Sequence, residues 1–117
     1  MKIIGIVGSR RRNSQKDYDS CMKVFADIYS FGDKIVSGGC PQGADNFAEL
    51  IAKEYSIPII IHPANWKQYG KRAGFLRNTY IAQDAIILIA LVAPDRSGGT
   101  EDTIRKASKL HKNIIII

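Results

Sequence analysis

Lys34-Ile35-Val36-Ser37-Gly38-Gly39-Cys40-Pro41-Gln42-Gly43-Ala44-Asp45 is the stretch on which the fold turns. Its opening residues, Lys34 to Ser37, read as a short strand, and three glycines then break the pattern. From Ala44 onward, apolar residues recur at helical three-and-four spacing: Ala44, Phe47, Ala48, Ile51, Ala52 and Tyr55. A strand that passes through a glycine-rich turn into a helix is the building block of a parallel α/β sheet.

The same alternation extends in both directions. Runs rich in isoleucine and valine occur at Ile3 to Val7, Ile57 to Ile61, Ala85 to Leu91 and Asn113 to Ile117. They are nearly continuous in apolar character, as expected of parallel strands covered on both faces. Helical spacing recurs at Tyr18, Cys21, Met22, Phe25 and Tyr29, at Gly74 to Ala82, and at Thr100 to Leu110. The expectation is a single Rossmann-like α/β domain over residues 1–117, with a five-stranded parallel sheet in the order 3-2-1-4-5 and helices on both faces. Pro58, which lacks an N–H, fits because strand 3 lies at a sheet edge in that order.

Composition narrows the classes. A chain of 117 residues with 45% hydrophobic and 24% charged side chains suits one globular core. The apolar run Ala85 to Ala93 is far below the roughly 20 residues a membrane-spanning helix requires. The apolar stretch Ile3 to Val7 precedes Arg10, Arg11 and Arg12, the reverse of a secretory leader, so a cytoplasmic protein is expected, with free thiols at Cys21 and Cys40. Two cysteines and two histidines, His62 and His111, show no metal-ligand spacing, and neither a metal nor a cofactor is expected. The formal net charge of +6 favours anionic partners.

Unusual residues concentrate in the loops that leave the carboxyl ends of strands, where open α/β sheets bind ligands. These are Gly8-Ser9-Arg10, Ser37 to Asp45, His62 to Arg77, and Pro94 to Thr100. Gly38, Gly39 and Gly43 let backbone N–H groups approach a phosphate at a helix start, and Gly98-Gly99-Thr100 repeats the arrangement. Neither loop is a Walker P-loop or a G-x-G-x-x-G motif. The alternative is that the glycines only make tight turns and that Asn46 with Glu49 forms a capping box. Two such loops at one sheet edge favour a binding site. Arg10, Arg77 and Arg96 offer guanidinium forks, and Asp45 can accept from ribose hydroxyls. Arg11 and Arg12 read as solvated surface charges. Trp66 reads equally as a base-stacking ring or a core side chain.

Taken together, Gly8-Ser9-Arg10, Ser37-Gly38-Gly39 with Gly43-Ala44-Asp45, Pro63-Ala64-Asn65-Trp66 with Tyr69-Gly70-Lys71, Ala73-Gly74 with Arg77-Asn78, and Ser97-Gly98-Gly99-Thr100 resemble the SLOG superfamily, in its YspA/YpsA-related branch. The resemblance covers essentially the whole chain. It implies a pocket for a nucleotide or nucleotide-derived molecule, a nucleoside phosphate or an ADP-ribose-like ligand, held by these loops.

The superfamily includes LOG phosphoribohydrolases, whose motif P-G-G-x-G-T-x-x-E is similar to Gly98-Gly99-Thr100. Three residues beyond Thr100 this chain has Thr103, and Glu101 and Asp102 are out of register. A positioned carboxylate would stabilise the oxocarbenium-like charge of glycosidic cleavage. Asp45 and Asp95 are the alternatives, and no catalytic residue is assigned. The first reading is a sensor or sequestering protein, the second a LOG-like hydrolase. The third is a DprA-like single-strand binder using Lys106, Lys109 and Lys112, which are more simply the cationic end of a helix. A homo-oligomer is compatible with exposed apolar positions on helix 1 or 3.

Overall fold

The structure, a computed structural model, describes residues 1–117. The strands are β1 (Ile3–Gly8), β2 (Lys34–Ser37), β3 (Ile59–Ile61), β4 (Ile87–Leu91) and β5 (Asn113–Ile116). They form one all-parallel sheet in the order β3-β2-β1-β4-β5, as expected. The helices are α1 (Gln15–Ile28), α2 (Ala44–Glu54), the single turn α3 (Trp66–Tyr69), α4 (Ala73–Asp84) and α5 (Gly99–Lys109), with a 3-10 turn at Gly70–Arg72 leading into α4.

Alternation along each strand divides the core in two. Ile4, Ile6, Ile35, Ile89 and Leu91 pack with Cys21 and Phe25 of α1 and with Phe47, Ala48 and Ile51 of α2. On the opposite face Val7, Val36, Leu88 and Ala90 meet Ile81 and Ala82 of α4 and Ala107 of α5. Burial on both faces is why the central strands read as unbroken apolar runs.

Strand 3 is shorter than the periodicity predicts. Ile57 is buried but precedes β3, its N–H bonding Ala52 O at 2.8 Å. Pro58 also lies outside, although its carbonyl accepts from Ile35 N at 2.9 Å. Ala85 and Ile86 likewise precede β4. The capping box raised as the alternative reading of the first glycine loop is absent. α2 begins at Ala44 with Gly43 as its cap and no capping side chain, so Asn46 lies inside the helix and makes no box with Glu49. The box belongs to α1, where Ser14 Oγ accepts from Asp17 N at 3.1 Å and Asp17 accepts from Ser14 N at 3.2 Å. No helix is long and apolar enough to cross a membrane.

Candidate functional site

The sheet order places β1 and β4 side by side at its centre, with chain crossovers running outward in opposite directions from them. The loops after these two strands therefore part above the sheet and leave a crevice. A cleft of about 640 Å³ lies there, roofed on one side by the α3–α4 segment.

Of the residues expected to bind ligand, Gly8, Ser9, Arg10, Asp45, Trp66, Arg77, Asn78, Ser97, Gly98, Gly99 and Thr100 line the cleft. Ser37, Gly38, Gly39, Gly43 and Ala44 do not line it. Ser37 is fully buried, its single hydroxyl proton shared between Ile6 O at 2.6 Å and Asp45 Oδ1 at 2.9 Å from the Oγ. Ala44 is buried in the core, and Gly39 lies beside Ile61. The Gly43 N–H is taken by Asn13 Oδ1 at 2.8 Å. The two glycine loops thus differ: the first braces the site from behind, and the second faces it.

Gly38 and Gly43 act through what a side chain would displace. At Gly38 a Cβ would stand 2.6 Å from Arg77 Nη1 and 2.8 Å from Asp45 Oδ2. At Gly43 the backbone has φ +74, and a Cβ would stand 2.8 Å from Ser9 O. The first lets Arg77 reach back over the loop, and the second lets α2 start against β1.

Arg77 is aimed by two bonds: its Nη1 donates to Gly38 O and its Nε to Asn78 Oδ1, each at 3.0 Å. Its Nη2 makes no bond within the protein. Asn78, buried, continues the chain by donating to Gly99 O and to Asp102 Oδ2, each at 3.2 Å. Burial alone would raise the Asp102 carboxyl. The Lys106 ammonium at 2.8 Å and the Asn78 amide outweigh it, holding the group below its ordinary range. Arg77 is thereby connected through Asn78 and Asp102 to the frame of α5.

The cleft is strongly cationic. Arg10, Arg11, Lys71 and Arg77 line it, against Asp45 as its only carboxylate. Asp45 is itself engaged, accepting from Ser37 Oγ and from Cys40 N at 3.1 Å. Arg10, Lys71 and Arg77 have no carboxylate within ion-pair distance. The amides of Gly98, Gly99 and Thr100 find no acceptor inside the protein, so the positive end of α5 opens into the same space.

Trp66 is 55% exposed at the rim, its ring edge over Gly74, which removes it from the core. Thr103 lines the floor, while Glu101 and Asp102 do not line the cleft. Glu101 is held bidentately by Arg96 at 2.8 and 2.9 Å, so Arg96 is spent outside the site. Neither Arg11 nor Arg12 is a free surface charge. Arg11 joins Asp95 at 2.6 Å and Ser97 at 2.9 Å, and with Ser97 it holds the Asp95 carboxyl at about 2. Arg12 is tied to Asp17, Val92 O and Ile117 O.

Sequence reasoning assigned no binding role to Thr103, Phe75, Ile81 or Arg11, all of which line the cleft. A signal existed for part of this set: Gly74, Arg77, Asn78 and Ile81 share helical three-and-four spacing and so one face of α4.

No protein-family model and no solved structure match the chain. Among curated proteins it is similar to the Gene 61 protein of Mycobacterium phage D29, at 30% identity over 117 residues, covering 93% of this chain and 90% of the phage protein. At that identity and near-complete coverage of both chains, the protein belongs to the family of the phage D29 Gene 61 protein.

Proposed function

We propose that the protein binds a nucleotide or nucleotide-derived molecule in the cleft between β1 and β4, as a sensor or sequestering protein. The observation that carries this reading is the convergence of unpaired cations and unpaired backbone amides on one space. Arg10, Lys71 and Arg77 meet the open amides of Gly98, Gly99 and Thr100 there. Most of these residues face solvent, and a phosphate is the ligand that several of them can satisfy together. Trp66 at the rim offers an aromatic face to a base. The ordered motifs that resemble the SLOG superfamily point to the same ligand class.

The hydrolase reading has less support. The one carboxylate at the cleft already serves Ser37 and Cys40, and Thr103 stands where the LOG motif has glutamate.

Calorimetric titration with AMP and with ADP-ribose tests the proposal. Binding is expected for at least one, and Arg77→Ala is expected to weaken it about tenfold or more, the scale of a lost charge-assisted bond. The free base is expected to stay absent by chromatography. Unchanged affinity in Arg77→Ala would remove the phosphate site, and base release in the wild type would replace the sensor by an enzyme.

A further inference from the structure

The two edges of the sheet are built differently. β3 is three residues long and stands between Pro58 and Pro63, which supply no N–H and guard that edge against further pairing. β5, at the other edge, carries no such guard. Asn113-Ile114-Ile115-Ile116-Ile117 holds neither proline nor charge, and its β-branched side chains favour pairing. Asn113 N donates to Ile86 O at 3.4 Å and Ile117 N to Ala90 O at 2.9 Å, while Ile117 O accepts from Val92 N at 3.1 Å. The odd-numbered residues therefore face β4, and the N–H and C=O groups of Ile114 and Ile116 point outward, where no strand lies beyond them. Ile116, 46% exposed, adds an apolar side chain to the same edge.

We infer that β5 pairs antiparallel with β5 of a second copy of this chain, so that the interface is a sheet edge rather than a helix face. The strand is complementary to itself. With Ile115 opposite its own copy at a two-fold axis, Ile114 of each copy faces Ile116 of the other, and every outward N–H meets an outward carbonyl. Charge selects this orientation and this occupant. Lys112, directly before the strand, is the nearest cation in sequence. Antiparallel pairing sets the two copies of Lys112 about 20 Å apart, at roughly 3.3 Å per residue, beyond the screening distance in physiological salt. Parallel pairing would place them about 5 Å apart. Arg12, which donates to Ile117 O at the other end, is already paired with Asp17 at 2.7 Å. The uncharged strand thus lets a chain of net charge +6 meet itself without bringing cations together. The carboxyl ends of β1 and β4 point opposite ways in the two copies, so both clefts stay open.

Analytical ultracentrifugation of the whole chain tests the pairing, together with hydrogen exchange of individual amides by NMR. A monomer–dimer equilibrium is expected, with the Ile114 and Ile116 amides exchanging more slowly as protein concentration rises. Ile116→Lys is expected to weaken dimerisation about tenfold, because the two-fold axis counts each altered cross-strand pair twice. Ile116→Pro removes only an outward N–H, leaves the bonds to β4 in place and is expected to act the same way, so the result does not rest on the folding of one variant. A monomer at every concentration overturns the inference and leaves the edge to another partner. A dimer that is equally tight in either folded variant, or whose Ile114 and Ile116 amides exchange as fast as in the monomer, overturns it in favour of a helix face. Species that grow beyond the dimer overturn it as well, because a pair formed through the one unguarded edge closes on itself.

Discussion

Cys21 and Cys40 place the same thiol in opposite surroundings. Cys21 is fully buried on the inner face of α1, and burial pushes its thiol up to about 12. Cys40 is partly exposed and lines the cleft. Because the thiolate is the reacting form, iodoacetamide is expected to label Cys40 in the native protein and Cys21 only after unfolding. A saturating nucleotide should slow the Cys40 reaction, which mass spectrometry of the digested protein reads directly. Labelling of both thiols at similar native rates would contradict the packing described for Cys21. Arg10, Arg11 and Arg12 make the same point about charge. Adjacent in sequence, they are respectively unpaired in the cleft, bound to Asp95, and tied to Asp17 and two backbone carbonyls.

At the scale of elements, helix starts separate scaffold from site. α1 begins with a complete capping box at Ser14 and Asp17, which satisfies the amides of both residues internally, and its start does not line the cleft. α5 begins at Gly99 after the cap residue Gly98, with no side-chain cap, and its first amides stay open toward the cleft. Ser14→Ala should therefore cost about 1 kcal/mol of stability, measured by urea denaturation, without changing nucleotide affinity. A loss of affinity in that variant would mean that the α1 start contributes to the site. The α3–α4 segment behaves differently again, since α3 is a single turn with no buried residue and is held chiefly by the 3-10 turn at Gly70–Arg72 and by α4.

Across the whole molecule, long-range polar ties set the relation between the sheet and its connections. Asp33, 2% exposed before β2, accepts from the Lys2 backbone at 2.9 Å, from its ammonium at 2.5 Å and from Ser30 N at 2.8 Å. Burial alone would raise this carboxyl, but these donors outweigh it and hold it at about 2. A carboxyl depressed on folding stabilises fully above its unfolded value of about 3.9 and loses that contribution as pH falls toward the folded value. The stability gap between wild type and Asp33→Asn should thus be constant near neutrality and shrink as pH falls from about 4 toward 2. Urea midpoints over that range check it, and a gap independent of pH would show that the Asp33 charge does not brace β1 to β2.

Local sequence was enough to determine the alternation of strands and helices, the sheet order and the concentration of unusual residues at one sheet edge. These come from periodicity and from the handedness of parallel crossovers, which depend on few residues at a time. The chain also placed Gly98-Gly99-Thr100 at the cleft, since a helix start after a central strand has little choice of direction, and Arg77 and Asn78, singled out by the resemblance, line it from within α4. Long-range packing decided which glycine loop faces the cleft and which supports it, because that depends on Asn13 capturing the Gly43 amide across 30 positions. Packing alone decided which cations remain unpaired. Arg11 meets Asp95 across 84 positions, and Arg77 lies over Gly38 across 39. Charge type is written in the chain, but whether a charge is already neutralised depends on how distant segments meet, and that leaves Arg10, Lys71 and Arg77 open to a ligand.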